Sequence, residues 1–233
     1  MDLVAPPPAA EAPDRGPPAP PWDESARLRA LLRYGILDTP READFDDIAA
    51  MAAEICGTPI AVVNLVATDR QWFKAEVGIG VDSTPLDSSF CAKAILTPGI
   101  TEVPDAREDP RFARNPLVTP ANGIRFYAGA LLETPEGLPI GTVCVLDTRT
   151  RRLTDFQRRT LSRLARQVMI QLELRRTLRD RAAEAQALRD AEERLRLAQE
   201  AGGIGAFEIE VATNILLASP ASARSTASPR TRR

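Results

Sequence analysis

No glycine or proline interrupts the chain between Thr154 and Gly202, and a breaker-free stretch of that length reads as one helix. Thr154 followed by Gln157 offers a capping box at its start. Roughly 45 helical residues at about 1.5 Å each extend on the order of 70 Å, more than a domain of this size is wide, so the helix needs a partner. Leu161, Leu164, Val168 and Leu172 form an apolar seam, continued by Leu174, Leu178, Ala185, Leu188 and Leu195 with Arg181 and Glu192 in the stripe. These imperfect heptads predict a dimeric coiled coil over residues 154–201, the chain pairing with a second copy of itself. The competing reading is a solvated single helix held by pairs such as Asp190 with Arg194 and Glu192 with Arg196.

The two ends of the chain have a different character. Residues 1–22 hold eight of the 20 prolines and few large apolar groups, which predicts a disordered Pro/Ala-rich leader. Residues 219–233 collapse into Ser, Ala, Pro, Thr and Arg, which predicts a disordered tail. Between helix and tail, an alternating strand at Ala206 to Val211 and a short apolar run to Ala218 are too little for a domain.

From Glu24 to Leu146 the pattern is mixed α+β. Leu28, Leu31 and Leu32 recur at helical spacing before Gly35, predicting a helix from Glu24 to Tyr34. Thr39-Pro40-Arg41-Glu42 has the form of a capping box with proline at the first helical position, opening a second helix that ends at Cys56-Gly57. Ile60 to Val66 is a nearly continuous β-branched run, a strand covered on both faces. Arg70 to Val77 alternates, with Gln71, Phe73, Ala75 and Val77 opposite Arg70, Trp72, Lys74 and Glu76, and makes a hairpin with it. Ile124 to Leu132 and Ile140 to Leu146 form a second pair around Gly137, with a weak strand at Ile100 to Val103. The long connection Gly78 to Gly123 is where a ligand site is expected, because loops held by a rigid sheet carry function.

Composition narrows the chemistry. The chain has no histidine, which removes Ser-His triads, histidine-ligated haem or metal, and phosphohistidine relays. Thirty basic against 32 acidic residues leave a net charge of -2, too little positive field for nucleic acid as a main partner. The helix is the basic element: residues 1–150 carry 13 basic and 22 acidic groups, residues 151–200 carry 13 and 8. Three cysteines, Cys56, Cys91 and Cys144, form no CxxC pair and suit a reduced, cytoplasmic compartment. No basic-apolar leader opens the chain, and no apolar run is long enough to span a membrane.

Seven ordered blocks carry a family resemblance: Leu32 to Pro40 (LRYGILDTP), Asp69 to Lys74 (DRQWFK), Ser89-Phe90-Cys91, Asp109 to Phe112 (DPRF), Asn115 to Val118 (NPLV), Ile124 to Gly129 (IRFYAG) and Gly141 to Asp147 (GTVCVLD). Residues 24–175 resemble a GAF sensor domain of bacterial sensor histidine kinases and diguanylate cyclases. The resemblance implies a GAF-type central antiparallel sheet flanked by helices, here over 24–153, a small-molecule pocket under loops, and dimerisation through the exit helix. Arg194 to Glu208 is similar to the entry into a PAS domain, so residues 202–218 are expected to be an incomplete PAS-like start. With the arginine-rich tail, that implies a truncated or frameshifted piece of a longer GAF-PAS sensor kinase.

Candidate site residues follow from the strand faces. Arg125 and Tyr127 share one side of their strand, Trp72 and Lys74 the polar face of theirs, and Phe90, Cys91 and Lys93 begin a helix capped by Ser88 or Ser89. Together they suit an aromatic or anionic metabolite held by stacking and a guanidinium fork. The alternative makes Trp72 and Phe90 packing residues and pairs Arg125 with Asp69, Asp105 or Asp109. Arg111 and Asn115 are ligand contacts or loop locks, and Asp109 caps the turn before Pro110. Cys91 is either an oxidant-sensing thiol near a helix start or a small core residue, and Cys56 and Cys144 read as core. Many members of the family that this chain resembles carry histidine where Lys93 stands, which weakens any transfer of bilin, haem or metal chemistry.

The expected function is a non-catalytic sensory module that binds a small ligand or senses redox state and passes the signal through the dimeric helix to a kinase or cyclase. No catalytic residue, metal ligand or cofactor is assigned. The alternative is a GAF-fold free methionine-R-sulfoxide reductase, whose cysteine placement Cys56, Cys91 and Cys144 do not match.

Overall fold

The computed structural model describes residues 20, 22–202, 207–210 and 215–218. Most of the expected leader, residues 203–206 and 211–214, and the expected tail lie outside the described residues. Among the described residues, no helix is long and apolar enough to cross a membrane.

The chain divides into two units, residues 1–174 and 175–233. The first is built on a six-stranded antiparallel sheet made of β1 (Ile60–Val66), β2 (Arg70–Val77), β3 (Ser83–Pro85), β4 (Ile100–Val103), β5 (Phe126–Glu133) and β6 (Pro139–Asp147). Its order is β3-β2-β1-β6-β5-β4. The two most apolar strands, β1 and β6, lie at the centre and are buried along nearly their whole length, as strands covered on both faces must be.

Helices α1 (Glu24–Arg33), α2 (Ala43–Cys56) and the start of α4 (Asp155–Ala201) cover one face. There, Leu31, Phe45 and Ile48 meet Val63, Leu65, Phe126 and Val143, with Leu161, Val168 and Leu172 of α4 completing the layer. Each such side chain contributes about 1.5–3 kcal/mol on burial. The first part of the seam expected to pair two chains is thus spent on the domain's own core. The Thr154–Gln157 box forms, with reciprocal bonds of 2.9 and 3.2 Å. Gly57, at φ 63°, ends α2 in the left-handed conformation that glycine adopts without strain.

The box expected at Thr39 and Glu42 does not form: α2 starts at Ala43, and Glu42 makes no side-chain cap bond. A buried lysine draws those groups away. Lys74 Nζ donates to Thr39 Oγ1 at 3.0 Å, the Pro40 carbonyl at 2.6 Å and Glu42 Oε1 at 2.5 Å. An ammonium out of water needs this many acceptors, and a local cap yields to that demand. Arg27 docks α1 similarly, donating to the Val66 carbonyl at 2.7 Å while its other nitrogens hold Glu24.

In the second unit, the remainder of α4 carries i,i+3 and i,i+4 pairs such as Arg196 with Glu193 and Glu200. Strands β7 (Phe207–Glu210) and β8 (Ile215–Ala218) pair antiparallel.

Candidate functional site

The other face of the sheet is covered by α3 (Phe90–Ala94) and the long connection that contains it. Under that cover lies a cavity of about 230 Å³, lined by Ile60, Val62, Gln71, Phe73, Gly78, Ile79, Thr84, Ser88, Phe90, Cys91, Leu117, Ile124, Cys144 and Leu146. None of these residues carries a formal charge. The polar groups at the wall are held in a chain: Ser89 Oγ donates to Gln71 Oε1 at 2.6 Å, and Gln71 Nε2 bonds Thr84 Oγ1.

Phe90 and Cys91 are the two expected site residues that line this cavity. Phe90 stacks against both Phe112, at 4.3 Å, and Tyr127, at 5.4 Å, and those two rings lie 6.5 Å apart. Tyr127 lies beneath them with its hydroxyl folded over Gly129, where a Cβ would stand 2.3 Å from that oxygen. A side chain at 129 would expel the tyrosine.

Trp72 and Lys74 turn the other way. Trp72 belongs to the helix-side core, and Lys74 binds the segment before α2 beside the Phe45 ring. A register shift between Val63 and Asn64 breaks the pairing with β2: Val63 faces Ala75, while Asn64 faces Phe73. Lys74 is the extra residue, so two consecutive side chains, Lys74 and Ala75, lie toward the helices. Gln71 and Phe73, assigned by simple alternation to the opposite face, instead line the cavity.

The cationic and amide candidates hold the cover together. Arg125 donates to the carbonyls of Val118 at 2.6 Å, Pro120 at 2.7 Å, Ala121 at 2.9 Å and Ile124 at 3.1 Å. It neither forks toward the cavity nor pairs with an aspartate. Asn115 Nδ2 donates to the Ser88 carbonyl at 3.0 Å, and its Oδ1 accepts from the Leu117 amide. Arg111 grips Asp109, whose carboxyl is held below its usual range by that bond. Lys93 bonds the Arg111 carbonyl and lies over the Phe112 ring. The start of α3 is closed by its own cap: the helix has five residues, and Ser89 Oγ accepts the Ala92 amide.

The cavity-facing cysteines are neighbours. Cys91 Sγ and Cys144 Sγ lie 3.6 Å apart, and the Tyr127 hydroxyl is 3.6 Å from Cys91. A hydrogen bond from Cys144 holds Cys91 below the ordinary thiol range, and the same bond together with burial pushes Cys144 well up. Physically, one thiolate is stabilised by the remaining S–H, whereas two buried thiolates repel. Cys56, in the helix-side core, is pushed up to about 11 by burial. All three cysteines are free, and no cluster of metal-ligating side chains occurs among the described residues.

The molecule is an antiparallel sheet with helices on one face and a loop-roofed cavity on the other. The chain belongs to the GAF domain family, whose signature matches residues 40–172. It is 42% identical over 153 residues, 65% of this chain and 26% of the other, to a Pseudomonas aeruginosa protein named as a cyclic di-GMP phosphodiesterase. The chain therefore spans about a quarter of the length of that curated relative. Similar solved structures include an Acinetobacter phosphotransferase GAF domain at 15% identity and TM-score 0.48, covering 64% of this chain and 92% of the other. A Neisseria meningitidis free methionine-R-sulfoxide reductase also matches, at 19% identity and TM-score 0.48, covering 67% and 95%. Likenesses of this size do not bear on function.

The curated relative corrects one expectation. A chain outside the enzymes, feeding a kinase or cyclase, was the reading from sequence, yet the relative at 42% identity is named as an enzyme of cyclic di-GMP breakdown.

Proposed function

We propose that this chain is the ligand-sensing GAF portion of a cyclic di-GMP signalling enzyme of the phosphodiesterase type. The observation that carries the sensing part is the uncharged, largely apolar cavity between β1, β2, β6 and α3. The output part is supported by the 42% identity to the Pseudomonas enzyme. Cyclic di-GMP carries two phosphates, and phosphate recognition calls for cations or clustered backbone amides. Arg125, Lys93 and Arg111 are committed to carbonyls and Asp109. At about 230 Å³ the cavity is also below the range of drug-sized sites. Its ligand is accordingly a small neutral molecule, apolar with one or two hydrogen-bonding groups, that regulates the enzyme rather than being its substrate.

Pairing of two chains through α4 belongs to this proposal. Leu174, Leu178, Leu188 and Leu195 are each close to 60% exposed at heptad spacing, an apolar stripe suited to a second copy. The β7–β8 pair supports a PAS-like start after α4, and three unpaired cysteines suit a cytoplasmic setting.

Indole serves as a neutral probe. It should raise the melting temperature of the wild-type chain and not that of Val62→Phe, whose ring fills the cavity; cyclic di-GMP should raise neither. Stabilisation by cyclic di-GMP, or by indole equally in both proteins, rejects the assignment.

A further inference from the structure

We propose that Cys91 and Cys144 form a dithiol modification site that a hydroperoxide converts to an intramolecular disulfide, independently of whether the cavity holds a ligand. Their Sγ atoms are already in contact at 3.6 Å, on two elements far apart in sequence. Bond formation at about 2.05 Å asks for an approach of about 1.5 Å. One partner sits on β6, the fully buried central strand, and the other on a helix of only five residues. The approach is therefore a displacement of α3 against a rigid sheet.

Three further observations separate this pair from inert core thiols. Both cysteines line the cavity, which gives a hydroperoxide its approach to the pair, with Cys91 the more exposed of the two. The Tyr127 hydroxyl stands beside Cys91, placed to donate to a thiolate. Across the sheet from Thr142, the Asn64 amide is buried without a hydrogen-bond partner. Asn64 and Thr142 face each other across β1 and β6, and Thr142 shares its face with Cys144, two residues on. A hydrogen bond from the Thr142 side chain favours ionisation at Cys91, Cys144 and Tyr127.

The chemistry balances in two steps. Cys91, as thiolate, attacks one oxygen of the hydroperoxide; the O–O bond breaks, the departing hydroxide or alkoxide takes up the proton that Cys91 released on ionising and leaves as water or an alcohol, and Cys91 becomes a sulfenic acid. Cys144 then attacks Cys91 Sγ; the S–O bond breaks, a second water leaves with the Cys144 proton, and the Sγ–Sγ bond forms. The two thiols lose two electrons and the peroxide gains them. Pulling α3 toward β6 moves Phe90 and the Ser89–Gln71 link, so the disulfide reshapes the cavity wall.

The test treats the reduced full chain with hydrogen peroxide, alkylates it, and maps peptides without reduction. Two of the three thiols should be lost, with Cys91 linked to Cys144 and Cys56 alkylated, and dithiothreitol should restore all three. Cys56→Ser should behave as wild type, and Cys144→Ser should stop at a sulfenic acid on Cys91 that dimedone traps. Retention of all three thiols, a linkage through Cys56, or a linkage between differently isotope-labelled copies overturns the proposal. If Cys144→Ser fails to fold, the wild-type peptide map decides alone.

Discussion

The two faces of the sheet are closed by different physics. On the helix side, interdigitated apolar side chains fill the space, and two buried cations, Arg27 and Lys74, dock the segments around them. On the loop side, the roof is tied by polar locks at Arg125, Asn115 and Ser89, and a cavity remains beneath it. A filled face makes the domain stable, while a latched face can open locally and change shape with its contents.

The sharpest way to break this comparison is to remove a latch. Arg125→Ala should cost about 1.5–3 kcal/mol, since a charged donor to four carbonyls is lost. Amide exchange should rise between residues 117 and 123 and stay unchanged in α1 and α2. Uniform loss of protection would mean that the roof and the helix face unfold together.

A pair of neighbouring substitutions gives a smaller contrast. Val63→Leu, pointing into the filled face, should destabilise by about 1–3 kcal/mol through overpacking. Val62→Leu, one residue away and pointing into the cavity, should change stability by less than about 0.5 kcal/mol. Urea midpoints measure both, and equal costs would deny that the faces differ in packing.

The smallest effect is on pH dependence. Bonding to Arg27 holds the Glu24 carboxyl below its ordinary value of 4.5. Its stabilisation is thus present above pH 4.5 and lost as pH falls through the lowered value. The stability difference between wild type and Glu24→Gln should shrink over that window, with Trp22, bonded to Glu24 at 3.3 Å, reporting locally by fluorescence. A difference independent of pH would place the docking of α1 on Arg27 and Val66 alone.

Much of the fold was legible in residue order because its signals are local. The end of α2 at Gly57, the two-sided burial of β1 and β6, and the capping of α4 at Thr154 each depend on residues within a few positions of one another. The family resemblance, carried by short blocks such as Asp109 to Phe112, likewise needed no tertiary information. The site was less legible. A single bulge at Lys74 reverses which residues of β2 meet the cavity, and bulges leave no clear trace in an alternating sequence. Arg125 could be placed on the loop side, but its choice of backbone carbonyls over a ligand or an aspartate depends on where the chain from 118 to 121 folds back.

By itself, then, the sequence determined the elements, their class and the absence of imidazole chemistry, because propensity, periodicity and composition act at short range. Only the tertiary structure decided that Lys74 would take the groups of a helix cap, that Phe73 rather than Trp72 would wall the cavity, and that Cys91 and Cys144 would touch. Buried charges and thiols find their partners through space, and separation along the chain carries no record of that distance.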